Sequence, residues 1–243
     1  LDSLAAAGFS LEPETQQEVA AALCCLSLSQ QHRVEISYKC IKTIVHLSAS
    51  KSVETARQAV GSMANLAEDV DTHEYIAKAE GGKCLVALEA HKSIDIHREA
   101  TRGIANLLSS FRHQTIIIEH GIPGLVHLAY SEDDECAYNA AMSFRKLSPN
   151  LQSHPVLVYS GSFKAIFNLL EKPHFNTQRQ AASALRDLAA NPDYKLKCAE
   201  EGGMQACINL MRQPEESLQA LGLATLRHLS SNDHLKKPIV EHR

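Results

Sequence analysis

Thirteen histidines and seven cysteines are the residues in this 243-residue chain with the most chemistry to offer. A metal needs its ligands about 2 Å from one centre. His32, His73, His113, His154 and His234 instead recur at the start of one repeated segment, with Tyr194 in the remaining slot. Residues equivalent by repetition stack about 10 Å apart, one helix-packing distance. They form a line and not a centre, and the spacing predicts a structural role, capping a helix or bonding backbone at a repeated turn. Ser153-His154-Pro155 and Asp233-His234 suit that role. His91 and His97 flank a loop. Cys24, Cys25, Cys40, Cys84, Cys136, Cys198 and Cys207 are odd in number and contain no Cys-x-x-Cys pair. They read as free thiols packed as small apolar residues in a reducing compartment, the cytoplasm or else the nucleus. The adjacent Cys24-Cys25 pair raises acylation as an alternative, but it lies in a helical run with no basic segment beside it. There is no Gly-x-Ser-x-Gly, no phosphate-binding glycine loop and no His-Glu-x-x-His. No enzyme activity, metal or cofactor is expected.

The remaining chemistry lies in Arg and Asn side chains whose positions follow a repeat. An anchor leucine returns at Leu26, Leu66, Leu107, Leu147, Leu188 and Leu229, at gaps of 40, 41, 40, 41 and 41. Ahead of it run Val19-Ala22-Leu23, Ala59-Ser62-Met63, Ala100-Gly103-Ile104, Ala140-Ser143-Phe144, Ala181-Ala184-Leu185 and Gly222-Thr225-Leu226. The spacing i, i+3, i+4, i+7 is one face of an α-helix. A unit this short cannot bury that face alone, whereas stacked copies can, so the period predicts a solenoid. Glycines at Gly81-Gly82, Gly121, Gly161 and Gly202-Gly203 end a short helix, and polar loops such as 131–134 lead into the long one. Each unit therefore reads as short helix, glycine turn, second helix, loop and long third helix. Ile116-Ile117-Ile118 is β-branched, but its register with Ile76 and Leu157 predicts helix.

The glycine turns and the runs Ala64-Asn65-Leu66 and Ala105-Asn106-Leu107 resemble the armadillo repeat family, of the β-catenin and importin-α type, over the whole chain. HEAT repeats share the period and usually lack both features. The resemblance implies an all-α, right-handed solenoid of stacked three-helix repeats. It forms one domain over 1–243, with partial repeat 1–30, repeats 31–70, 71–111, 112–152, 153–192 and 193–232, and partial repeat 233–243. The partial end repeats lack polar caps, which predicts exposed apolar surface and self-association through the ends.

With the four core positions numbered zero, three, four and seven, slots minus two, minus one, two and six fall on the opposite side of the third helix. In the armadillo family that stripe lines a groove for extended segments. The resemblance makes Asn65 and Asn106, both in slot six, clamps for a passing backbone, since an amide both donates and accepts. Cys25, Lys146, Asp187 and His228 hold the same slot in the other units. Importin-α-type receptors place Trp at slot two to sandwich lysine stems, and this chain has no Trp. The stripe carries Arg57, Arg98, Arg102, Lys146 and Arg179, and neighbouring slot five adds Arg145, Arg186 and Arg227, against Glu18, Glu99 and Asp187. Eight cations face three anions there, although the chain has 24 Lys and Arg against 28 Asp and Glu. Arg98 and Arg102 stand four apart, a like-charge pair that costs a helix a few tenths of a kcal/mol.

These readings lead to a non-enzymatic protein-protein interaction module. It takes an extended or helical, acidic partner segment in a concave third-helix groove, through Arg57, Asn65, Arg98, Arg102, Asn106, Arg145, Lys146 and Arg179. The alternative is a scaffold or regulatory segment of a larger protein, acting through its ends and loops. A third is single-stranded nucleic-acid binding, for which Tyr138 is the one stacking aromatic on the stripe. The net charge of −4 speaks against a dedicated nucleic-acid binder. No 18-residue apolar run marks a membrane span, and no signal peptide opens the chain.

Overall fold

Small residues at slots zero and three let the long helices approach one another, and the large ones at slots four and seven fill the space between them. The computed structural model describes residues 1–89 and 91–241, so the last two positions of the terminal partial repeat lie outside the described residues. The described residues are helical and contain no strand. They form two compact units, Leu1–Gly124 and Leu125–Arg243.

In the first unit the long helices Pro13–Ser27, Val53–Leu66 and Ile94–Leu107 pack in chain order. In the second, Asp134–Leu147, Phe175–Ala190 and Glu216–Ser230 do the same. Leu66, Leu107, Leu147, Leu188 and Leu229 are fully buried, as are Met63, Ile104, Phe144 and Leu185. Ser62, Ser143 and Thr225 sit buried at slot three by donating to the carbonyls of Gln58, Asn139 and Leu221, four residues back. Gly103 is required at its slot, because a Cβ there would stand 2.9 Å from Leu85 Cδ1. Leu26 departs from the pattern at 40% exposure. Its helix has a long-helix neighbour on one side only, and Ala20, Leu23 and Ser27 are the fully buried residues there.

The short helices follow the glycine punctuation with two differences. Residues 31–52 contain no glycine, and one continuous helix, Arg33–Ser48, replaces the short helix, turn and second helix of the other units. The left-handed turn residue is a glycine at Gly161 and Gly202, but at 80–82 it is Glu80, with φ 58°. Gly81 and Gly82 open the following helix instead, where a Cβ on Gly81 would meet Ile76 Cγ2 at 2.7 Å. Ile116, Ile117 and Ile118 lie within the Phe111–His120 helix.

Candidate interaction groove

The stripe cations of the first unit are claimed by carboxylates. Arg57 forks onto Glu54, Nε to Oε2 at 2.9 Å and Nη2 to Oε1 at 2.5 Å, which with Gln58 pulls the Glu54 carboxyl down to about 2. Arg98 Nη1 meets Asp95 at 2.9 Å. Arg102 donates to Glu99 at 2.6 Å, to Glu68 of the preceding repeat at 3.0 Å and to Asn65 Oδ1 at 2.8 Å. Glu68 also receives Arg33. The like-charge pair Arg98–Arg102 is therefore embedded among anions, and its spacing marks no surplus of positive charge. Asn65 is buried and spends both ends of its amide inside the protein, since its Nδ2 donates to Ser27 Oγ at 2.9 Å. The clamp that the resemblance assigns to Asn65 is thus occupied by Ser27 and Arg102. Asn106 is half-buried and donates to Ala64 O at 3.2 Å, which leaves its carbonyl oxygen for another donor.

The second unit differs. Arg145, Arg179 and Arg227 are exposed and form no ion pair among the described residues. Arg179 lies over the Phe175 ring at 5.8 Å. Lys146, half-buried beside Arg145, is held below the usual lysine range by burial and by Arg145. Arg186 has a carboxylate, Asp187 Oδ1, at 2.7 and 2.9 Å. At the other end of these helices Asp134 meets His174 at 2.8 Å beside Tyr138, lining a cavity of about 260 Å³. Of the eight predicted residues, Arg57, Asn65, Arg98, Arg102 and Asn106 share the first unit in a largely self-satisfied network, and Arg145, Lys146 and Arg179 belong to the second.

No model of a known protein family matches the sequence, and no curated protein matches it. Solved structures do. Computationally designed armadillo repeat proteins for modular peptide recognition superpose with a TM-score of 0.88 at 22% identity, over 94% of this chain and 99% of that one. A designed armadillo repeat protein in complex with the peptide (KR)4 gives 0.85 at 22%, again over 94% and 99%. An engineered protein gives 0.84 at 24%, over 95% and 96%. The fold is an armadillo-like repeat solenoid.

Within this solenoid three of the histidines hold backbone together. His73 Nε2 donates to Ala67 O at 2.8 Å, His113 Nε2 to His73 O at 3.0 Å, and His154 Nε2 to Ser148 O at 2.6 Å. A carbonyl only accepts, which fixes the proton on Nε2 in each case. Burial holds the His113 imidazole below its ordinary value. All seven cysteines are free thiols. Burial pushes Cys24 up, with Glu99 adding to it, and pushes Cys207 up to about 12, so neither is a ready thiolate. Among the described residues no three His, Cys, Asp or Glu side chains converge as a metal site, and no helix is long and apolar enough to cross a membrane.

Sequence reasoning passed over Lys195. The seventh residue after four of the six anchor leucines reaches back six residues to a carbonyl. Arg33 Nε bonds Ser27 O at 3.1 Å, Gln114 Nε2 bonds Leu108 O at 3.0 Å, and His73 and His154 make the bonds above. Lys195 holds this position and turns elsewhere, donating to Ser231 Oγ at 2.6 Å. The readable signal was an ammonium on a long stem where four of its equivalents, Arg33, His73, Gln114 and His154, are planar donors.

Proposed function

We propose that this solenoid is a non-enzymatic protein-interaction module, and that an acidic segment, extended or helical, lies along its third helices in the second unit. The observation that carries this reading is the set of exposed cations that form no ion pair among the described residues, Arg145, Arg179 and Arg227. The designed armadillo protein bound to (KR)4 supports a peptide ligand for this fold. The charge on the stripe supports one of opposite sign, because (KR)4 would meet repulsion from these arginines and find no Trp for its lysine stems. Guanidinium groups hold carboxylates through two parallel bonds. The first-unit arginines contribute shape and rigidity here, since a partner carboxylate would have to displace one already in place. The free thiols support a reducing compartment, the cytoplasm or the nucleus. The test is calorimetric titration with an alternating Asp-Glu peptide and with (KR)4 at low and physiological salt. Binding of the acidic peptide, weakened by salt and by Arg145→Glu with Arg179→Glu, is the expected result. Preference for (KR)4, or acidic-peptide affinity indifferent to those substitutions, overturns the reading.

A further inference from the structure

Two successive second helices of the second unit, Ser162–Glu171 and Gly203–Met211, leave a cavity of about 480 Å³ between them. One repeat earlier the same gap is bridged. Asn168 Nδ2 donates to Ala129 O at 2.9 Å and Lys172 Nζ to Ser131 O at 2.7 Å, both reaching back to the preceding repeat. Asn209 and Gln213 stand 41 positions further on, at the equivalent places, and neither reaches back. Two sequence differences account for this. Gln178 stands where the earlier repeat has Ala137, and its Nε2 takes the Leu170 carbonyl, the equivalent of Ala129 O, at 3.1 Å. Asn209 turns instead to its own helix, accepting from Gln205 Nε2 at 2.9 Å. Gln213 replaces Lys172 with a side chain one atom shorter, and its amide has no partner among the described residues.

The opening has an apolar wall and polar groups left over. Phe167 and Leu170 line it, both half-buried. Asn209 Nδ2 and both ends of the Gln213 amide stay free, which is the donor and acceptor pair that a peptide group needs. Glu171 and Arg212 line the same cavity, exposed and opposite in charge, and neither forms an ion pair among the described residues. A ligand of one sign would satisfy one of them and be repelled by the other. Pockets of about 300–1,000 Å³ hold ligands larger than one amino acid. We propose that this cavity binds a short peptide segment with an apolar side chain between a basic and an acidic residue. The apolar side chain packs on Phe167 and Leu170, the base meets Glu171, the acid meets Arg212, and Asn209 and Gln213 bond the backbone. This site is independent of the third-helix reading, because an all-acidic segment would leave Glu171 unpaired.

The experiment follows the side-chain amide resonances of Asn209 and Gln213 by NMR while the whole chain is titrated with acetyl-Lys-Leu-Glu-amide and with acetyl-Glu-Leu-Lys-amide, the two chain directions. One of the two is expected to bind and to shift both amides. Replacing its Leu by Ala should weaken it at least about tenfold, and Glu171→Gln and Arg212→Gln should each weaken it about fivefold, as exposed ion pairs do. Gln213→Lys, which restores the bridge that Lys172 makes, should abolish binding at an unchanged or higher melting temperature. Silence with both peptides, or affinity indifferent to Glu171→Gln and Arg212→Gln, overturns the proposal. Free leucine matching the tripeptide would overturn a peptide segment as the ligand. Displacement by the alternating Asp-Glu peptide would move the binding to the third-helix stripe and overturn the cavity site, whereas failure of the Asp-Glu peptide to bind leaves this result standing and removes the groove reading alone.

Discussion

Arg102 Nη2 lies 2.8 Å from Asn65 Oδ1, and Asn65 Nδ2 lies 2.9 Å from Ser27 Oγ, so one chain of side-chain bonds crosses three successive long helices of the first unit. Charge reversal at Arg102 is therefore a stability change before it is a binding change. Arg102→Glu would break this chain and set an anion beside Glu99 and Glu68. The expected cost is about 1–3 kcal/mol, a fall of several degrees in melting temperature. Arg179→Glu, whose residue has no carboxylate partner, should leave the melt within about 0.5 kcal/mol of wild type.

The six-residue reach-back makes a second prediction. His154→Ala leaves the Ser148 carbonyl without its donor and removes the acceptor of Asn191 Nδ2, 3.0 Å from His154 Nδ1. Chemical denaturation should show a loss of about 1–3 kcal/mol. His154→Gln should recover part of it, because Gln114 already makes the same bond in its own unit.

Glu89 sets a pH dependence. It is 6% exposed, its Oε1 has no partner, and its Oε2 fills the space that a Cβ on Gly124 would take. Burial pushes its pKa up to about 8 from an ordinary 4.5. The folded state then holds a proton that the unfolded chain has released. The contribution is fully present below pH 4.5 and is lost as pH rises towards 8, at up to about 1.4 kcal/mol per unit. Glu89→Gln should flatten that slope. Denaturant midpoints at pH 5, 7 and 9 for both proteins measure it, and parallel wild-type and variant curves would place the titration elsewhere.

Core register was legible because it depends on side-chain size at fixed spacing. Leu107→Ala and Leu147→Ala should each cost about 2–5 kcal/mol, since both leucines are fully buried. Leu26→Ala should cost much less, at 40% exposure. Leu26 misled because the motif reports the helix face and not whether neighbours cover it on both sides. The missing turn in 31–52 could have been read from the absence of glycine, whereas the left-handed Glu80 could not, with two glycines beside it.

The groove was half legible. Glu54–Arg57, Asp95–Arg98 and Glu99–Arg102 are i, i+3 pairs open to inspection in the sequence, and counting charges on one stripe hid them. Arg102–Glu68 joins different repeats and Lys195–Ser231 joins the two ends of one, and their geometry exists only once the helices have stacked.

The most direct measurement is the affinity of an alternating Asp-Glu peptide for the wild type, for Arg145→Glu/Arg179→Glu/Arg227→Glu and for Arg57→Glu, each checked by thermal melt. The account predicts that the triple reversal, folded as wild type, weakens binding at least tenfold and lowers its salt dependence, while Arg57→Glu changes affinity little. Equal affinities for wild type and the folded triple variant would contradict it.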